Sequence, residues 1–127
     1  MTRLEELLRK VCMRTYKLKS MKIDRFNNKK FELFGTTYVI KVVGILANND
    51  NMYQYGITYN AKKEIHISKK VGDSIQPESE VYLTLVHEIV HCILDAGQYN
   101  EESQNEALVE WLSRCIVSLL KQKILVA

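Results

Sequence analysis

The chain has 127 residues, 46% of them hydrophobic and 26% charged, with a single proline. That is the size of one domain with one core and an ordinary soluble composition, which excludes collagen-like, low-complexity and wholly disordered classes. The formal charge of +3 divides unevenly: residues 1–30 hold ten Lys/Arg against Glu5, Glu6 and Asp24, and the remainder sums to −4, an asymmetry that by itself hints at an acidic partner or nucleic acid.

The first segment, 1–20, reads as a basic amphipathic helix. Leu4, Leu7, Leu8, Val11 and Cys12 form one apolar stripe, and Thr2-Arg3-Leu4-Glu5 fits a capping box. Residues 20–34 are weakly patterned and polar, with a turn expected at Asn27-Asn28. Strands follow at Thr37–Val43, Tyr53–Tyr59 and Ile65–Ile67, separated by turn clusters at Asn48–Asn51 and Asn60–Lys62. Residues 36–68 are therefore expected to form a small, mostly antiparallel sheet of about three strands. After Gly72 the period becomes helical. Pro77, Glu78 and Glu80 suit a helix start and Gly97 its stop, giving a helix over 77–95. A polar loop, Gln98–Glu102, then leads to a last helix over 103–123. The fold class is α+β in a single domain, 1–127.

No apolar run approaches about 18 residues, and MTRLEELLRK has no unbroken apolar stretch. Neither a membrane span nor a signal peptide is expected, and the reading is cytoplasmic. Cys12, Cys92 and Cys115 lack metal or disulfide spacing and read as ordinary reduced thiols, Cys92 pointing into the core.

Residues 87–91 are His-Glu-Ile-Val-His. In H-E-x-x-H on a helix, two imidazoles four residues apart point the same way and can share one zinc ion, while the Glu between them can reach a metal-bound water. A chance match in a chain with three His and eleven Glu is expected about 0.006 times. At 100° per residue, Glu80, Thr84, His87, Glu88, His91 and Asp95 share an arc about 100° wide, and apolar residues fill the rest. That pattern describes a buried helix with one polar stripe.

A catalytic zinc needs a third protein ligand. Asp95 lies about 12 Å along the axis from His87, too far to join both imidazoles, and its expected role is contact with His91. On the last helix Glu106 and Glu110 lie one turn apart. Spacing alone leaves either as ligand, and Glu110 could simply pair with Arg114. The apolar arc of that helix is expected to be Leu108, Trp111, Leu112, Cys115, Ile116 and Leu119, with the two Glu opposite.

His87-Glu88-x-x-His91 followed by Glu106-x-x-x-Glu110 resembles the zincin metallopeptidases of the gluzincin type. The small size, the preceding strands and the apolar last helix resemble the minimal ImmA/IrrE-type and related phage or prophage metallopeptidases. The resemblance covers roughly residues 57–120. Where ImmA/IrrE-type chains carry an E-x-x-A-N-x-F-A-like run, this one reads Glu106-Ala-Leu-Val-Glu-Trp-Leu-Ser113. The resemblance implies a zincin-like fold and zinc held by His87, His91 and Glu106. It further implies Glu88 as general base and Glu110 as an orienting residue or reserve ligand. The activity it implies is hydrolysis of a peptide bond in a protein substrate, such as a transcriptional repressor of a phage or mobile element. The alternative is a zincin-fold binding protein, an antirepressor or host-factor binder acting without proteolysis. Tyr59 or Ile65–Ile67 could present an extended substrate, and His66, Tyr59, Tyr82 and Tyr99 are candidate oxyanion helpers. The basic N-terminus has few aromatics and no recognised DNA-binding motif, so nucleic acid is not the expected partner.

Overall fold

Thr2 and Glu5 form the reciprocal pair expected of a capping box: the Glu5 amide donates to Thr2 Oγ1 at 3.1 Å and the Thr2 amide to Glu5 Oε2 at 3.3 Å. Residues 3–6 are accordingly helical. The structure, a computed structural model, describes residues 2–6, 23–47, 53–71 and 74–123. The remainder of the expected first helix, with Cys12, lies outside the described residues.

A 3-10 turn at Asp24–Phe26 precedes the sheet. Its Asp24 pairs with Lys69 at 2.6 Å, and its Arg25 donates to the Tyr82 hydroxyl. Among the described residues the sheet has six strands rather than about three: β1 Lys30–Leu33, β2 Thr36–Ala47, β3 Tyr53–Gln54, β4 Gly56–Tyr59, β5 Glu64–Val71 and β6 Ser74–Ile75. The order across the main sheet is β1-β2-β5-β4, with β3 on β2 and β6 on β5. Strand β1 falls in the segment read as unpatterned. Its Lys-Phe-Glu-Leu alternation is only four residues long, and its hairpin turns on Phe34-Gly35, both at positive φ (49° and 85°), rather than on the usual Asn-Gly.

The expected second strand divides at Tyr55. Tyr53–Gln54 pairs with β2, and Gly56–Tyr59 pairs antiparallel with β5. The central pair, β2 and β5, is parallel, so the sheet is mixed. Residues 48–63 make the connection, long enough for the crossover that a parallel pair requires.

Helix α1, Glu78–Ala96, starts after Pro77 and ends at Gly97, as the sequence implies. One face packs Leu85 and Cys92 on Tyr38, Ile40, Ile65 and Ile67 of the sheet. Another face packs Val86 and Val90 on Val109 of the last helix. Burial on two sides explains why α1 is apolar around most of its circumference, each buried side chain contributing about 1.5–3 kcal/mol. The polar loop expected at Gln98–Glu102 is largely a short helix, α2, Asn100–Gln104. Asn105, extended at φ −84° and ψ 91°, separates it from α3, Glu106–Lys121, and caps α3 by accepting from the Leu108 amide at 3.1 Å. The helix expected over 103–123 is thus two helices. Helix α3 also sits differently from its expected arc: Val109 and Ser113 are buried, while Trp111 is 62% exposed. No helix among the described residues is long and apolar enough to cross a membrane.

Candidate metal centre

The polar stripe of α1 opens on a cavity of about 960 Å³ between β4, α1, α2 and the start of α3. His87 and His91, one turn apart, bring their rings to 5.0 Å between centroids. From α3, the two oxygens of Glu106 face the two Nε2 atoms, Oε2 at 2.9 Å from His87 and Oε1 at 3.2 Å from His91.

The opposite edges of the rings are also held. His87 Nδ1 lies 3.0 Å from Glu110 Oε2, and His91 Nδ1 lies 3.1 Å from Ser103 Oγ. With Nδ1–H donated to these oxygens, both Nε2 lone pairs are directed at the same point. Glu110 faces the Nδ1 edge of His87, while its other oxygen takes the Arg114 ion pair at 2.9 Å. Glu110 therefore contacts His87 and pairs with Arg114 at once, and Glu106 is the carboxylate on the Nε2 side.

One nitrogen from each histidine and one oxygen of Glu106 lie within 4.8 Å of one another, so the three residues could hold a metal ion. Ligand atoms around a tetrahedral zinc are about 3.3–3.5 Å apart. The donor set and its spacing fit such an ion after a small adjustment of the exposed Glu106 side chain.

Glu88 is 7% exposed and receives a hydrogen bond from Thr58 Oγ1 on β4. Burial pushes its carboxyl above the usual range, against the opposing pull of the Thr58 hydrogen bond and the neighbouring histidines. The approach of β4 to α1 depends on Gly56, where a Cβ would lie 2.8 Å from Thr84 Cγ2 and 3.2 Å from Glu88 Cγ. The Cys92 thiol, buried in the core as expected, is pushed up to about 12 chiefly by burial.

Other expectations change. Asp95 lines the cavity but makes no hydrogen bond to His91, whose partner is Ser103. None of the four candidate oxyanion helpers lines the cavity among the described residues. Tyr59 and His66 pack edge to face at 4.7 Å, and His66 alternates with the core-facing Ile65 and Ile67, so it lies on the far face of the sheet. Tyr82 is held by Arg25 and Phe26. Tyr55, at the break between β3 and β4, is the tyrosine that reaches the cavity. Ser103 and Tyr55 were missed because one was placed at a helix start and the other inside an unbroken strand. Reading Asn105 as a helix cap would have set Ser103 apart from the last helix.

The described residues thus define an α+β domain with a three-donor site for a cation and a buried carboxylate beside it. No protein-family model, curated protein or solved structure matches the chain.

Proposed function

We propose that this chain is a zinc-dependent endopeptidase with a zincin-like, gluzincin-type centre. The reading rests on one observation above the rest: a carboxylate from a second helix meets the Nε2 edges of both H-E-x-x-H imidazoles, while different oxygens hold both Nδ1 edges. Two imidazoles and one carboxylate are a catalytic zinc set, leaving one position for water or substrate. Zinc held there supplies a Lewis acid that polarises a carbonyl and acidifies water.

The chain's own residues do the rest. Glu88 accepts the proton of the attacking water and delivers it to the leaving amine. Thr58 fixes the orientation of that carboxylate. Glu110 and Ser103 hold the imidazoles in the tautomer that leaves Nε2 free.

Among the described residues strand β4 is a sheet edge, with β5 as its one strand partner. Tyr55 O accepts from Ser68 N, so by the alternation of an antiparallel ladder Gly56 and Thr58 direct their backbone groups away from β5. Both residues line the cavity. An extended peptide can pair with that edge.

The test is zinc content together with hydrolysis of an unstructured protein substrate. Wild type is expected to hold one zinc and cleave. Glu88→Gln is expected to hold zinc and lose turnover. A zinc-loaded wild type that cleaves no peptide refutes the peptidase reading and leaves the binding-protein alternative.

A further inference from the structure

The cavity wall carries more negative charge than hydrolysis requires. Glu80, Glu88, Asp95, Glu106 and Glu110 line it, and among the described residues no Lys or Arg does, although the chain has 18 basic and 15 acidic residues. Three of the five are engaged, Glu88 by Thr58, Glu106 by the two imidazoles, and Glu110 by His87 and Arg114. A divalent ion offsets two charges and leaves the wall acidic.

Glu80 and Asp95 are different. Neither side chain makes a hydrogen bond or ion pair among the described residues, and they stand on the polar stripe of α1 on either side of the histidines. At 1.5 Å per residue Glu80 is about 10 Å before His87 and Asp95 about 6 Å beyond His91. Glu80 is in the first turn of α1, where the helix dipole favours it. Asp95 is in the last turn, where the dipole opposes a carboxylate and no basic residue compensates. A local preference broken beside a reaction centre calls for a compensating role.

The second observation is the edge of β4 on the same cavity, which no strand among the described residues pairs with. A peptide extended along it at about 3.3 Å per residue covers the roughly 22 Å between Glu80 and Asp95 in six or seven residues. The reacting bond then lies at the histidines, with side chains on both flanks near an unpaired carboxylate.

Resting on the peptidase reading above, we propose that the substrate is an extended peptide segment carrying Lys or Arg on both sides of the cleaved bond, with Glu80 and Asp95 as the carboxylates that select it. Neutral and acidic segments meet the same edge without the charge match, and acidic ones are repelled.

The experiment uses three sets of labelled ten-residue peptides, identical but for Lys/Arg, Gln or Glu at the flanking positions. Cleavage by the zinc-loaded protein is followed by mass spectrometry, and binding to zinc-loaded Glu88→Gln by fluorescence anisotropy. The basic set is expected to be preferred over the Gln set by tenfold or more in both readouts. The preference should weaken as salt rises and collapse in a Glu80→Gln/Asp95→Asn double variant whose zinc content is unchanged. Cleavage with no charge preference, or a preference that survives the double variant, overturns the proposal and leaves the peptidase reading standing. If zinc-loaded protein neither binds nor cleaves any set, both fall.

Discussion

Glu106 and Glu110 lie one turn apart on α3 and both touch His87, yet the geometry assigns them different work, and replacing each by Gln separates the two roles. Glu106 faces Nε2 of both imidazoles. Its side chain is 68% exposed, so Glu106→Gln removes a ligand without disturbing the core. Four-ligand zinc sites bind with about 10–16 kcal/mol, which puts one ligand at about 3 kcal/mol, or two to three decades in affinity. Glu110 accepts the Nδ1 proton of His87 and pairs with Arg114. In Glu110→Gln an amide oxygen can still accept that proton, and the loss expected of an orienting partner is about 10–100-fold. The assay is zinc stoichiometry after dialysis, followed by competition with a fluorescent chelator at fixed pH. The expected order is wild type tightest, Glu110→Gln intermediate and Glu106→Gln weakest, with the metal-free proteins melting at similar temperatures. If Glu110→Gln abolishes binding while Glu106→Gln retains it, the ligand assignment drawn from the two ring edges is refuted.

Glu88→Gln should stabilise the metal-free protein while removing turnover. Burial raises the native carboxyl above its unfolded value, so the native state binds more protons across that window and stability falls as pH rises through it. At pH 7–8 in chelator the variant is expected to gain on the order of 1 kcal/mol, a gain that shrinks as pH falls from the raised native value toward the ordinary carboxylate range and is absent below it; scanning fluorimetry from pH 4 to 8 checks it. Gly56→Ala drives a methyl against Thr84 and Glu88 and should cost about 1–3 kcal/mol in urea unfolding; a neutral result would show that β4 is free to move off α1. Phe34 is 96% exposed at φ 49°, so Phe34→Asn is expected to raise stability by a few tenths of a kcal/mol to about 1 kcal/mol, and a lower melting temperature would reveal a contact made by that ring.

The helix carrying His87, Glu88 and His91 was legible because two independent patterns agree on it. The pentapeptide suggests a chemistry, and the confinement of Glu80, Thr84 and Asp95 to the same arc fits a helix packed on two faces, although Tyr82 and Ile93 stay partly exposed. The sheet was less legible. Strand pairing is non-local, and nothing in Ile65–Ile67 states that its neighbour is the parallel β2 rather than the adjacent Tyr53–Tyr59 alone. The hairpin at Phe34-Gly35 escaped because turn chemistry is read from Asn, Asp and Gly, and a phenylalanine in the first of two left-handed positions gives no such signal. Ser103 escaped for another reason: a serine at a helix start has a sufficient local explanation as a cap, and only the bend at Asn105 turns it toward His91.

Helix α3 shows where periodicity and site part company. Its strongest apolar arc centres near Leu108, Cys115 and Leu119, yet the residues it buries most deeply, Val109 and Ser113, lie roughly 100° around the axis. Had the arc been followed, Glu106 and Glu110 would face solvent, opposite the contact with α1. The observed rotation seats Val109 on Val86 and Val90, brings both carboxylates to the edges of His87, and leaves Trp111 62% exposed. Burying a serine hydroxyl is tolerable because Ser113 Oγ donates to Val109 O at 2.7 Å. Exposing an indole forgoes on the order of 2 kcal/mol of apolar burial, and the helix nonetheless adopts this orientation. The three ring contacts of Glu106 and Glu110, each at 2.9–3.2 Å, exist only in this rotation. A preference overridden in this way, beside the one motif that carries chemistry, is what a site imposes on the element that completes it.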